Sequence, residues 1–206
     1  MQTSISLKAA LRERMCRLRQ DQPPDTALEK SRVVQERLMD SACWREARSV
    51  ALYMPFRGET ATDRILRDAW QRGCTVFLPR VLPNAPGHME FVPCTGREQL
   101  CTGSFGLTEP LPGLPGFGPG FASREKGGEA CVSAPDVVVI PGVAFDRRGW
   151  RLGFGAGCYD RFFGASVFVG CCVGLCFAFQ IVDSLSVDAW DWRVHALCTE
   201  EELLWI

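Results

Sequence analysis

The chain has 206 residues, is 47% apolar and carries a formal net charge of −1. That length suits a single domain, so residues 1–206 read as one unit with a full core. The near-neutral balance excludes bulk attraction to nucleic acid or to a membrane surface, and any anion site must be built from a few placed Lys and Arg residues. The 11 cysteines are accompanied by only 2 histidines, His88 and His195, and no Cys-x-x-Cys occurs, which argues against a zinc site. An odd cysteine count and a charged N-terminus without a signal peptide point to free thiols in a reducing cytoplasm. The apolar run from Val167 to Phe179 is too short to cross a bilayer.

In chain order, Ser6 can cap a first helix running to about Arg19, with Leu7, Leu11, Met15 and Leu18 as its apolar stripe. Lys8, Arg12 and Arg19 border that stripe. A break at Asp21–Asp25 precedes a second helix from about Thr26, where Glu29 completes a capping box and Ala27, Val34 and Leu38 face inward. Ser49 to Pro55 reads as a strand, Thr60 to Arg72 as a helix stopped by Gly73, Thr75 to Val81 as a strand and Met89 to Pro93 as a short one. This alternation predicts an α/β fold with a mostly parallel sheet and helices on both faces, a three-layer α/β/α arrangement. Residues 111–130, rich in Pro and Gly and then charged, read as one long loop, mobile or a lid. Asp136 to Ile140 and Cys172 to Phe179 read as buried strands, and Ala196 to Thr199 as a last short one.

The most informative stretch follows Pro141-Gly142: Arg151-Leu152-Gly153-Phe154-Gly155-Ala156-Gly157-Cys158-Tyr159-Asp160-Arg161. Alternate glycines let peptide N–H groups approach an anion, and Asp160 follows where a cation on that anion would sit. Cys158 stands where the dinucleotide fingerprint needs glycine, and no Gly-Lys of a Walker A loop occurs. Lys8 and Arg12, one helical turn apart, are either a solvated basic face or partners of a polyphosphate.

On the run from Pro141 through Arg161, the chain resembles the 5-formyltetrahydrofolate cyclo-ligase family. Lys8-Ala-Ala-Leu11-Arg12, Tyr53-Met54-Pro55 with Glu59-Thr60-Ala61-Thr62, Leu78-Pro79-Arg80, Gly106-Leu107-Thr108-Glu109-Pro110 and Trp190-Asp191 stand in the order that resemblance requires. It implies a fold shared with sugar-phosphate isomerases and CoA transferases, and ATP- and Mg²⁺-dependent closure of 5-formyltetrahydrofolate to the 5,10-methenyl form. In that reaction the formyl oxygen is phosphorylated and N10 displaces the phosphate. ATP would meet Lys8, Arg12, Arg151, Gly153, Phe154, Gly155, Ala156, Gly157, Cys158 and Tyr159. The reduced folate would meet Met54, Glu59, Phe154 and Tyr159, with Arg151 and Tyr159 catalytic and Asp160 and Asp191 holding Mg²⁺. Neither nucleic acid nor membrane is an expected partner, and the cytoplasm is the expected location. A sugar-phosphate isomerase-like enzyme and a non-catalytic folate- or nucleotide-binding relative stay open beside this reading.

Overall fold

Runs of β-branched residues with both faces apolar pair edge to edge to form the centre of the molecule. In the computed structural model, which describes residues 4–103, 106–121, 134–164 and 170–206, a seven-stranded sheet has the order β12-β11-β9-β6-β1-β2-β3. The strands are β1 (Ser49–Ala51), β2 (Thr75–Val81), β3 (Met89–Pro93), β6 (Val137–Pro141), β9 (Cys171–Leu175), β11 (Ala196–Cys198) and β12 (Leu203–Trp205). The pairs from β11 to β2 are all parallel, while β3 and β12 close the edges antiparallel. The expected α/β class and mostly parallel sheet are therefore present. A two-stranded ribbon, β4 (Leu100–Thr102) with β5 (Thr108–Pro110), forms its own sheet and meets the end of β2, where the Val81 N–H donates to Glu109.

Alternation along each strand divides the core. Val137 and Val139 face α2 (Pro24–Met39), α3 (Ala42–Glu46) and α4 (Asp63–Gln71), packing with Val34, Leu38, Trp44, Ile65 and Ala69. Val138 and Ile140 face Phe145, Phe121 and the paired Phe162 and Phe163 of α5 (Cys158–Gly164). The layers are uneven, with three helices on one face and one short helix plus aromatic loop residues on the other. α2 starts at Pro24, whose missing N–H costs nothing at a first helical position, and no side-chain cap forms; the Thr26–Glu29 capping box is absent. The strand expected over Ser49–Pro55 ends at Ala51.

The expected long loop over 111–130 packs against the sheet in its first part. Arg80 of β2 pairs with Glu90 and donates to the carbonyls of Leu111 and Leu114. Phe117 then bridges Phe91, and Phe121 lies in the core with its ring 5.3 Å from Phe91 and 5.6 Å from Phe77. Phe121 adopts φ +57°, a conformation that costs an L-residue about 1–2 kcal/mol. Burying its ring gains about 1.5–3 kcal/mol and offsets that. Leu111–Phe121 is thus a packed segment; residues 122–133, the rest of the expected loop, lie outside the described residues.

Between β6 and the glycine loop stands an element the sequence did not suggest. β7 (Ala144–Asp146) and β8 (Arg151–Leu152) form an antiparallel hairpin, and β10 (Ile181–Val182) runs parallel to β7. Phe145 of this hairpin presses so close that a Cβ on Gly142 or on Gly174 would meet its ring at 2.6 Å. α1 (Ser4–Gln20) lies against the hairpin through Met15, Val143, Ala144, Leu152 and Leu185. Its inward face is set by positions 8, 12, 15 and 19, so Leu7 and Leu18 of the expected stripe are exposed while Arg19 is buried.

Candidate active site

The glycine loop is carried by the β7–β8 hairpin, and the hairpin turn is organised by Asp146. Its buried carboxylate accepts from the N–H groups of Arg148, Trp150 and Leu185 at 3.0, 3.2 and 3.0 Å and from the Arg148 guanidinium at 2.8 Å. Burial alone would push its pKa up, but the ion pair and the three N–H donors hold it below the usual carboxylate range. β8 then places Arg151 beneath the loop with its side chain 4% exposed. Arg151 pairs with Asp160 at 2.8 Å, not with Asp146, and lies 5.4 Å from the centre of the Tyr159 ring. A Cβ on Gly153 would lie 2.9 Å from Arg151 Nη1. Gly155 and Gly157 take φ +111° and +67°, which side-chain-bearing residues resist. Among the described residues, the N–H groups of Phe154, Gly155, Ala156 and Gly157 donate to nothing. Four peptide donors at the surface without protein partners are the raw material of an anion site.

α1 supplies cations to the same place. Arg12 donates from Nε to the Gly153 carbonyl at 2.8 Å, fixing the helix to the start of the loop. Lys8 approaches Asp188 at 2.6 Å and Asp191 at 3.5 Å with its side chain 16% exposed. Burial opposes its charge, but the hydrogen bond to Asp188 and the field of Asp191 outweigh it, so its pKa is raised. Asp191 Oδ2 also accepts from the Asp188 N–H at 2.8 Å. One residue on, the Trp192 N–H donates to Asp160 Oδ1 at 3.2 Å. The segment 188–192 therefore ties Lys8, Asp191 and Asp160 to one another, although they are far apart in sequence.

The third wall comes from the segment after β1. The Glu59 side chain is 7% exposed and, among the described residues, accepts a single N–H, from Phe56 at 3.0 Å. Burial pushes its pKa up to about 7 against the pull of the Arg19 charge. Arg19, with its side chain fully buried, stands 3.9 Å from Glu59 and 5.2 Å from the centre of the Phe154 ring. Its Nε and Nη1 have no hydrogen-bond partner among the described residues. Phe154 is 43% exposed and meets Phe56 edge to face at 6.5 Å. The Tyr159 phenol is pushed well above its ordinary value by burial and further by the charge of Glu59, so it is a hydrogen-bond donor at neutral pH. Met54 is half-buried against the α2–α4 core.

Lys8, Arg12, Glu59, residues 151–160 and Asp191 are thus linked by direct contacts or one intervening residue. Cys158 is half-buried and its thiol is raised by burial, which suits a small filler of the loop rather than a nucleophile. His195 accepts from the Cys172 N–H at 2.9 Å beside β9. Three participants escaped sequence reasoning: Arg19 as a buried site cation, Asp188 as the closest partner of Lys8, and Phe56. Only Arg19 carried a signal, its helical phase with Lys8, Arg12 and Met15. Among the described residues no cluster of three His, Cys, Asp or Glu side chains could hold a metal, and no helix is long and apolar enough to cross a membrane. The described cysteines are free.

Residues 4–200 match the model of the 5-formyltetrahydrofolate cyclo-ligase family. A 5-formyltetrahydrofolate cyclo-ligase of Haemophilus influenzae is 29% identical over 150 residues, 71% of this chain and 73% of that protein. The mouse (Mus musculus) protein of the same name is 24% identical over 95% of this chain and 92% of its own length. A solved structure of Aquifex aeolicus 5,10-methenyltetrahydrofolate synthetase superposes with a TM-score of 0.77 at 29% identity, covering 97% of this chain and 92% of that one.

Proposed function

The chain belongs to the 5-formyltetrahydrofolate cyclo-ligase family of ATP-dependent ligases, and we propose how its residues divide the work of closing 5-formyltetrahydrofolate to 5,10-methenyltetrahydrofolate. A formyl oxygen is a poor leaving group until it is phosphorylated. The formyl oxygen attacks the γ-phosphorus of ATP and expels ADP; N10 then attacks the activated carbon and loses its proton, and inorganic phosphate departs. What the protein must supply is position and charge neutralisation.

The single observation that carries this division is Arg12 of α1 bonded to a glycine loop whose peptide donors are unspent among the described residues, with Lys8 one turn away on the same helix. Lys8, Arg12 and the N–H groups of residues 154–157 take the phosphates, with Gly153 and Cys158 at the ends of that cradle. Arg151 acts from below by fixing Asp160 and the Tyr159 ring. Glu59, Phe154 and Tyr159, with Met54 from the segment after β1, would take the reduced pterin, where Tyr159 keeps its proton and donates.

The donor set fits a hydrated Mg²⁺. Asp160 spends one oxygen on Arg151 and Trp192, Asp191 spends one on Asp188 and Lys8, and among the described residues the other oxygen of each has no hydrogen bond. Magnesium takes one or two carboxylates and keeps its waters. Asp160 and Asp191 would hold it, and it would supply charge neutralisation at the phosphate oxygens.

The parallel centre of the sheet supports kinship of fold with sugar-phosphate isomerases and CoA transferases, which by itself carries no activity. Free thiols support a cytoplasmic location. The test is turnover by the purified chain, read as absorbance of the methenyl product. Product that appears with ATP and Mg²⁺ and not without ATP is the expected result. Silence at saturating reagents would remove the catalytic reading.

A further inference from the structure

Arg19 is the group that the division of labour above leaves unused. It sits on the face of α1 that carries Lys8 and Arg12, one stretch further along, with its side chain enclosed and its Cβ and carbonyl 3.8 Å from where a Cβ on Gly58 would be. A structural arginine in such a place normally spends its donors, because an unpaired buried N–H of a charged group is costly. Arg19 leaves Nε and Nη1 without hydrogen bonds among the described residues, and its one acceptor is a thiol, Cys16, at 3.9 Å. What it does have is the Glu59 carboxylate at 3.9 Å on one side and the Phe154 ring at 5.2 Å on the other.

We propose that Arg19 is a positioning residue, a buried cation that pairs with the Glu59 side chain and sets its place against Phe154 of the glycine loop. This role in substrate binding rests on the assignment of Glu59 to the reduced-folate side of the site. Among the described residues, the groups that face Glu59 are few. They are Arg19 from α1, the Phe56 N–H from its own segment, and the phenols of Tyr53 after β1 and Tyr159 in α5, both of which feel its charge. The Tyr53 hydroxyl is committed to the Thr60 carbonyl at 2.7 Å and gives Glu59 nothing. Arg19 is then the one full positive charge among these neighbours, and it opposes the burial that drives Glu59 toward its neutral acid. The pairing also gives the two substrate sides a physical link. α1 carries the phosphate-side cations Lys8 and Arg12 as well as Arg19, so a shift of α1 reaches Glu59 through one side chain.

The direct test follows the Glu59 carboxyl carbon by NMR in protein labelled with ¹³C at glutamate, the signal being assigned by its loss in Glu59→Gln. In the unsubstituted protein the midpoint is expected near 7. Arg19→Met should move it upward by a tenfold or larger change in the ionisation equilibrium, the low end of what an adjacent opposite charge contributes. Arg19→Lys should return it most of the way. If Arg19→Met does not fold, Arg19→Gln, polar and uncharged, gives the same comparison with Arg19→Lys. In kinetics, a tenfold change from a midpoint of 7 leaves about fivefold fewer ionised Glu59 side chains at pH 7 and near parity at pH 9. The KM for the reduced folate should rise by that factor at pH 7 and recover at pH 9, with the KM for ATP unchanged. An unmoved Glu59 midpoint, or a KM for ATP that rises in step, would overturn the assignment. Because the NMR arm needs no turnover, an inactive parent protein would sink the enzymatic reading while leaving the Arg19–Glu59 pairing open to measurement.

Discussion

Asp146 and Glu59 are both carboxylates enclosed by the protein, each with an arginine at hand, and their acidities are displaced in opposite directions. Asp146 receives three backbone N–H donors and a close guanidinium, and its pKa is lowered. Glu59 receives one N–H and an arginine 3.9 Å away, and burial raises it to about 7. Burial is common to both, so the number and closeness of donors decide the sign. A carboxylate whose lone pairs are filled holds a turn together. One whose lone pairs are half-filled, beside an arginine with spare donors and an exposed phenylalanine, is equipped to meet a ligand. The same contrast separates the β7–β8 turn, where polar groups are spent, from the glycine loop, where four N–H groups have no partner among the described residues.

The largest expected effect tests the filled member. Asp146→Ala leaves the N–H groups of Arg148, Trp150 and Leu185 without their acceptor, which should cost about 3 kcal/mol of stability, roughly one per orphaned donor. Urea unfolding at neutral pH measures it, and a loss below about 1 kcal/mol would erase the distinction from Glu59. Asp146, being depressed, contributes stability above the ordinary carboxylate range that is lost as pH falls through its folded value. The difference between Asp146→Ala and the parent should therefore shrink in acid.

Glu59→Gln should do the reverse, sparing the fold and removing function. We expect kcat/KM for the reduced folate to fall about 100-fold, the size of a lost hydrogen bond to a charged group. The folded protein holds the Glu59 proton up to about 7, against an ordinary value of 4.5, so its stability declines as pH rises across that window. The decline is on the order of 3 kcal/mol, and Glu59→Gln should flatten it. Unfolding at pH 5 and pH 8 checks this: a variant no more stable than the parent at pH 8 would mean that Glu59 is as well satisfied as Asp146.

How far this contrast was legible beforehand depends on what each residue answers to. β2 and β3 were readable to the residue, because short continuous apolar runs bounded by turn formers have a local cause. The glycine loop, Lys8, Arg12, Glu59 and Asp160 were readable as a pattern along the chain. The β7–β8 hairpin was not. Its strands are two and three residues long, and they are held by Asp146 and by the close approach of Phe145 to Gly142 and Gly174, contacts that exist only once the sheet has formed. Phe121 was hidden within Pro/Gly-rich sequence for the same reason. On α1, the leucines suggested one inward face, but what the helix meets is a polar loop and a glutamate as well as a hydrophobic hairpin. The inward face is accordingly mixed, and Leu7 and Leu18 were left outside.

Next in size come the α1 cations, which carry the contrast into the glycine loop. Lys8 is shared between two carboxylates, whereas Arg12 spends only its Nε, on a carbonyl, among the described residues. Each should contribute about 1.5–3 kcal/mol to nucleotide binding through a charge-assisted contact. Isothermal titration with ATP should show weaker binding by Lys8→Ala and by Arg12→Ala. Unchanged affinity in both variants would return them to an ordinary basic helix face. Lys8→Ala also releases Asp188 and Asp191 from their ammonium, so part of its loss should appear as an altered Mg²⁺ requirement, which Arg12→Ala should not share.

The smallest effects belong to Asp160 and Asp191, the carboxylates proposed to hold Mg²⁺, each half-spent in the manner of Glu59. Asp160→Asn keeps size and an acceptor oxygen but loses the charge that pairs with Arg151 at 2.8 Å, so both the cation and the arginine beneath the loop lose a partner. The Mg²⁺ concentration for half-maximal turnover should rise about tenfold, roughly 1.4 kcal/mol, with the unfolding midpoint little changed. Asp191→Asn should shift it less, about threefold. Lys8 already neutralises part of the Asp191 charge, and the Asp188 N–H can still donate to the amide oxygen. A Mg²⁺ titration of initial rates at saturating ATP separates the two. If Asp191→Asn shifts the requirement as far as Asp160→Asn, the Lys8 ammonium does not compete for that carboxylate. If neither variant shifts it, these two side chains are spent as fully as Asp146, and Mg²⁺ is held by the phosphates alone.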